Sequence, residues 1–221
     1  MNTLFDRAQR QTGPAGTAPR AKRSFVFGWI PIRKLAPRHR ARILRHLLAL
    51  DERSRFLRFG YPASDAQIQR YVEQLNFERD EVFGVFNRRL ALVAIAHLAY
   101  FDAASSPPCA EFGVSVARAA RGRGYGERLF AHAALHARNR GIDTLLVHAL
   151  SENAAMLHIA RKAGARIVRE GPESDAWVKL APESLVSHVE ELVEDRAADL
   201  DYRLKLQARR AKAQLPGRDE A

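Results

Sequence analysis

Residues 121–126, RGRGYG, set three glycines at alternate positions between an apolar run and a stretch of helical periodicity. The order strand, glycine-rich loop, helix constrains this chain most, because it starts a helix directly behind a strand. The first amides of a helix lack internal partners, and the helix dipole points its positive end at them. Gly122, Gly124 and Gly126 let an anion approach backbone that a Cβ would shield, and Arg121 and Arg123 add positive charge. The stretch reads as a phosphate cradle, with a tight turn carrying solvated arginines as the plainer alternative. Two other phosphate motifs fail on counting. G-x-G-x-x-G begun at Gly122 meets Glu127, and begun at Gly124 it meets Leu129. The Gly-Lys-Ser/Thr ending of a P-loop is absent.

Periodicity carries the pattern in both directions. SFVFGWIPIRK (24–34) predicts a first strand. LAPRHRARILRHLLALDERSRFLRFGYP (35–62) begins as an amphipathic helix, with Ile43, Leu44, Leu47 and Leu48 on one face and Arg38, Arg42 and Arg45 on another. SDAQIQRYVEQL (64–75) opens with a Ser/Asp cap and predicts a second helix. EVFGVFN and LALVAIAHLAYF are strand-like runs joined by a short Asn87–Arg88–Arg89 turn. After the break at SSPP, CAEFGVSVA is a strand, and GRGYGERLFAHAALHARNRG a helix ending at Gly141. DTLLVHAL is a strand, ENAAMLHIARKAG a helix closed by glycine, and ARIVRE with DAWVKL an antiparallel pair. Residues 182–213 predict an added helix, with Leu185, Val189, Leu192, Val193, Leu200 and Leu204 near helical spacing. The order β–α–α–β–β–β–α–β–α–β–β makes a mixed sheet flanked by helices.

A chain of 221 residues suits one domain with appendages. Residues 1–23 lack periodicity and predict a disordered leader, 24–181 the domain, and 182–221 a C-terminal helix and tail. One cysteine, Cys109, excludes an internal disulfide and a multi-cysteine metal site. No apolar run reaches the length of a membrane span and the N-terminus is not signal-like, so a cytoplasmic protein is the default. The net charge of +11 is concentrated in the domain: residues 33–58 hold nine basic against two acidic side chains. Such a patch suits nucleic acid, an acidic substrate or a phosphate-bearing cofactor.

R-G-x-G-x-G after a strand resembles the GNAT superfamily of acetyl-CoA-dependent N-acetyltransferases, whose pyrophosphate loop has the pattern Q/R-x-x-G-x-G/A. Arg121, Gly124 and Gly126 fill its defining places. The order of elements over about Phe25–Leu180 agrees, and ENAAMLHIARKAGA is similar to the family's later cofactor segment, with Asn153, Lys162 and Gly164 matching. SRFLRF (54–59) and AEFGVSVA (110–117) look like the GNAT domain of bacterial protein-lysine acetyltransferases. The resemblance implies an α/β fold of mixed α+β type, with a mostly antiparallel sheet of six to seven strands flanked by helices. It implies that backbone of Val114, Ser115 and Val116 pairs with the pantetheine arm, and that amides from Gly122 through Arg123, Gly124, Tyr125 and Gly126 to Glu127 hold the pyrophosphate. Acetyl-CoA and an amine acceptor, a small molecule or a protein lysine, would be its partners. A homodimer is compatible with that reading, a membrane partner is not, and nucleic acid rests on charge alone.

Glu111, at the start of the strand entering the loop, matches a glutamate that acts as base in similar enzymes; a surface carboxylate paired with an arginine is the alternative. Many family members carry tyrosine two residues before the position of Lys162, where this chain has Ala160. His158 lies on a different helical face and is no simple replacement, and Tyr125 reads as a packing residue. His97 and His148 sit inside strands and read as hydrogen-bonded structural residues. No carboxylate or cysteine stands at ligand spacing from them, so no metal is expected. Cys109 reads as a small strand residue, Trp29 and Trp177 as core or rim aromatics, and the arginines of 38–58 as a solvated face, with acidic-substrate recognition open. A non-catalytic acyl-CoA-sensing module is the alternative to an enzyme.

Overall fold

The computed structural model describes residues 30–101 and 108–214. The expected leader, Trp29 and the front of the first predicted strand lie outside the described residues. Seven strands form one sheet in the order β1-β2-β3-β4-β5-β7-β6. They are β1 (Ile32–Lys34), β2 (Glu81–Phe86), β3 (Leu92–Tyr100), β4 (Cys109–Val116), β5 (Thr144–Leu150), β6 (Arg166–Glu170) and β7 (Glu173–Lys179). Every neighbouring pair is antiparallel except β4 and β5.

Two apolar layers sandwich the sheet, as the period-two alternation of its strands requires. On one face α4 (Tyr125–Asn139) and α5 (Ala154–Lys162) pack Leu129, Phe130 and Leu157 toward the sheet, and Phe112 of β4 meets Phe130 edge to face. On the other, α1 (Arg40–Leu48) and α3 (Asp65–Gln74) bury Ile43, Leu47, Ile68 and Val72 against Val82, Phe86, Leu92 and Ile95. Burying side chains of this size contributes about 1.5–3 kcal/mol each. Ser64 and Gln67 form the capping box of α3, which agrees with the cap expected there.

The structure departs from the sequence expectation at two elements. The first helical stretch is broken: a 3₁₀ turn (Pro37–His39) precedes α1, and α2 (Glu52–Phe59) restarts after Ala49–Asp51. Asp51 causes the restart, since its carboxylate accepts from Ser54 N at 2.8 Å and caps a new N-terminus. The β2–β3 turn is two residues longer than expected, with Asn87 N bonded to Ala91 O at 3.0 Å and Leu90 at φ 58°. The added helix expected near the C-terminus is present as α6 (Leu185–Gln214), and its apolar stripe faces away from the domain. Leu185, Val189, Leu192, Val193, Leu200 and Leu204 are all exposed, while Ser187, Ala198 and Tyr202 face inward. Its attached face is polar, with Asn139 donating to Ser187 O at 3.0 Å and Arg42 donating to Tyr202 Oη at 2.7 Å. Among the described residues no helix is long and apolar enough to cross a membrane.

Candidate active site

β4 and β5 pair for only three residues, Cys109 with Thr144, Ala110 with Leu145 and Glu111 with Leu146. Beyond Glu111 they part. β4 continues to Val116 on β3 alone, and β5 continues to Leu150 on β7 alone. Backbone along the facing edges therefore has no strand partner, and a pocket of about 150 Å³ opens in the wedge. Its lining combines Glu111, Gly113 and Val114 of β4 with His148 and Leu150 of β5, Asn153 and Met156 at the start of α5, and the C-terminal end of α2.

Glu111 stands where the strands diverge, and among the described residues its side chain has no hydrogen bond or ion pair, so the alternative of a carboxylate paired with an arginine is not seen. Period two puts Gly113 on the same face, where the Arg58 guanidinium lies 2.9 Å from the place a Cβ would occupy. Any larger residue at 113 would push Arg58 aside. Arg58 donates to Tyr71 Oη at 2.9 Å, Tyr71 Oη is 2.9 Å from His97 Nδ1, and His97 Nε2 is 3.2 Å from Asp80 Oδ2. The chain runs from the pocket into the protein. Burial, reinforced by the Arg58 charge, holds His97 below its ordinary pKa, and burial raises that of Tyr71. A neutral His97 accepts from the Tyr71 hydroxyl and donates to Asp80, so it has the hydrogen-bonded role expected. His148 differs. It is bonded to Asp175 at 2.6 Å, but its side chain is 46% exposed and lines the same pocket as Glu111.

β4 leads from the wedge into the glycine loop. Gly122 and Gly124 both have φ 74°, a left-handed conformation that a side chain would strain. Gly124 caps α4 with no side-chain bond, and the first intrahelical bond runs from Arg128 N to Gly124 O at 3.1 Å. The amides of Tyr125, Gly126 and Glu127 precede it. Gly126 sits against α5, where a Cβ would meet Ile159 at 3.0 Å, and Tyr125 packs on the core as expected. Glu127 is ion-paired to Lys162 and lies 3.8 Å from His158, tying α4 to α5. Arg123 is exposed. Arg121 folds back, donating to Val116 O at 3.3 Å and to Ser54 Oγ.

The remaining expected residues hold the site's frame. His46 Nδ1 is 3.1 Å from the Leu92 carbonyl, which requires the proton there and leaves Nε2 to accept from Ser115 Oγ at 3.0 Å. Asn153 caps α5 by accepting from Met156 N at 3.1 Å, and its amide donates to Leu57 O at 3.2 Å. It thus joins the roof of the wedge to its wall. Ala160 is fully buried in the main core, so a larger side chain there would meet packed residues; His158 is exposed. Cys109 is free, and burial raises its thiol pKa, consistent with a strand residue. Trp177 is a rim residue.

The arginines of 38–58 are not simply a solvated face. Arg38, Arg45 and Arg53 are exposed, but Arg40 donates to the carbonyls of Val72, Glu73 and Leu75. Arg55 bonds the Leu48 and Leu50 carbonyls and Asp65. Much of the basic patch therefore fastens α1–α3 together. A larger cavity, about 410 Å³, lies between α4 and α6 around Ile30, His132 and Glu194. Glu111 does not line it, whereas Glu111 lines the smaller wedge and β4 runs from there toward the glycine loop, so the wedge is the candidate active site.

Comparison with known proteins agrees with this geometry. Residues 30–166 match the family model described as the acetyltransferase (GNAT) domain. No curated protein matches the sequence. Among solved structures, the GNAT domain of S. lividans PAT aligns at TM-score 0.58 and 23% identity, covering 67% of this chain and 89% of that one. yncA from Salmonella typhimurium, solved with its cofactor acetyl-CoA, aligns at TM-score 0.54 and 16% identity over 71% and 96%. Ribosomal-protein-alanine N-acetyltransferase from Brucella melitensis aligns at 0.51 and 20% over 66% and 96%. At these identities the structures show a shared fold, whereas the family model spans more than half of the chain. The chain belongs to the GNAT acetyltransferase family.

Proposed function

We propose that the protein transfers the acetyl group of acetyl-CoA to a primary amine, on a small molecule or a protein lysine, within the wedge between β4 and β5. The observation that carries this reading is Glu111, unpaired at the point where the two strands separate. The residues present fit acetyl-CoA. Left-handed glycines and the uncapped N-terminus of α4 suit the pyrophosphate, and the unpaired edge of β4 at Val114–Val116 suits an extended amide-bearing arm.

An acceptor of lysine type has a pKa of about 10.4, so near pH 7.5 roughly one amine in a thousand is neutral. Glu111 accepts one proton from the ammonium, the freed amine nitrogen bonds to the acetyl carbon and loses its second proton to solvent, and the carbon–sulfur bond breaks to release a thiolate. Backbone N–H groups near Val116 stabilise the oxygen on which negative charge develops. His148, oriented by Asp175, is the titratable group placed to return a proton to the thiolate or pass one to solvent. A pocket lined by these two groups favours catalysis over acyl-CoA sensing alone. Release of free thiol from acetyl-CoA across a panel of lysine peptides, polyamines and small amines tests the reading. At least one amine should accelerate release over the amine-free rate. Equal rates with every amine would overturn it.

A further inference from the structure

His132 and His136 stand one turn apart on α4 and face α6 across the end of β2. Each side chain is 1% exposed. His132 Nδ1 lies 2.7 Å from Glu194 Oε2, which fixes the ring proton on Nδ1 and leaves Nε2 with its lone pair. That Nε2 is buried without a hydrogen-bond partner, as are both ring nitrogens of His136. His136 Nδ1 is 3.2 Å from Glu191 and 3.5 Å from Glu81 without hydrogen-bond alignment, and its Nε2 is 3.9 Å from Asp195 Oδ1. Phe83 packs on both rings, with ring centroids 4.8 Å from His132 and 4.7 Å from His136. Buried polar atoms are nearly always satisfied, and with Glu191 and Glu81 facing His136 Nδ1, the two Nε2 atoms are the ones left without a hydrogen-bond partner.

Charge points the same way. Lys34 and Arg140 both pair with Glu81. Glu191, Glu194 and Asp195 have no lysine or arginine in ion-pair range among the described residues. His132, His136 and Asp195 each offer one ligand atom, and these lie within 4.8 Å of one another. A tetrahedral zinc ion with bonds of about 2.0–2.1 Å holds its ligands roughly 3.3 Å apart, so modest side-chain movement closes the set.

We propose that His132, His136 and Asp195 bind one divalent transition ion of zinc type, with water in the fourth position, fastening α6 to α4. Two imidazoles with one carboxylate suit zinc rather than magnesium or calcium. Glu194 supplies the outer carboxylate that orients the His132 ring. An ion has a route in, because His132 and Glu194 also line the 410 Å³ cavity and Asp195 is partly exposed. The site was hidden in the sequence because Asp195 is far along the chain from the His132–His136 pair. It is independent of acetyl transfer.

The test uses the full chain, stripped with chelator and titrated with zinc chloride. Calorimetry should give one zinc per chain, and ¹⁵N-histidine NMR should show metal-induced shifts at Nε2 of two of the eight histidines. Asp195→Asn should weaken zinc at least tenfold, and His132→Ala should move one of the two NMR signals out of the bound set. Should His132→Ala fail to fold, the wild-type NMR titration with the partly exposed Asp195→Asn variant still decides. No zinc uptake by the wild type, equal affinity in Asp195→Asn, or shifts confined to exposed histidines such as His148 and His158 would overturn the proposal.

Discussion

Glu111, Arg58 and His148 share one pocket, yet their neighbours give each a different task. Arg58 is engaged by Tyr71 and His148 by Asp175, while Glu111 carries no fixed partner and keeps both carboxylate oxygens for a ligand. Glu111→Gln should therefore preserve the fold and acetyl-CoA affinity while lowering turnover by on the order of 10²–10⁴. The sign with pH follows from the amine. Where pH lies far below the amine pKa almost every acceptor is protonated and the loss is greatest, and it shrinks as pH rises toward that pKa. A pH–rate profile of thiol release by parent and variant checks this; parallel profiles would leave Glu111 a structural role. Glu111 was legible in the sequence because it opens the strand feeding the loop. His148 was not, since a histidine inside a strand reads the same whether its ring is covered by a neighbouring strand or faces a wedge. Arg58 was hidden too: a run of nine basic residues among 33–58 carries no mark of which arginines meet carbonyls and which line a pocket.

At the scale of elements, the loop before α4 does the most with the fewest atoms. Two left-handed glycines turn the chain, and no side chain caps the first amides of α4. Gly124→Glu would force a side chain into a left-handed cap and place a negative charge beside those amides. Acetyl-CoA binding by calorimetry should be abolished, with circular dichroism unchanged; parental affinity would show that the pyrophosphate lies elsewhere. This loop was legible because glycine spacing is itself a backbone signal. The break between α1 and α2 had a signal as well, in Asp51 three residues before Ser54, but continuing helical periodicity masked it. The orientation of α6 could not be read, because apolar residues at helical spacing look alike whether they face the domain or water. The helix attaches instead through residues such as Ser187, Glu194 and Tyr202, which a search for apolar periodicity passes over.

Across the whole molecule, one topological event shapes the candidate site: an otherwise antiparallel sheet contains a single parallel pair that lasts three residues. Helices α1–α3, fastened by arginines to backbone carbonyls, roof one side of the sheet, and α4 and α5 back the other. The strand edges are thereby held apart rather than zipped together. The order of elements was legible from periodicity and punctuation, but the length of the β4–β5 pairing was not. That length depends on the packing of α2 and on Asn153, which bonds the end of α2 to the start of α5 from 96 residues away. The most direct test of the account is a crystal structure of the full chain with coenzyme A. The pyrophosphate should lie within hydrogen-bond distance of the amides of 122–127, the pantetheine arm along Val114–Val116, and the sulfur in the wedge beside Glu111. Coenzyme A bound instead in the cavity between α4 and α6, with the wedge untouched, would contradict it.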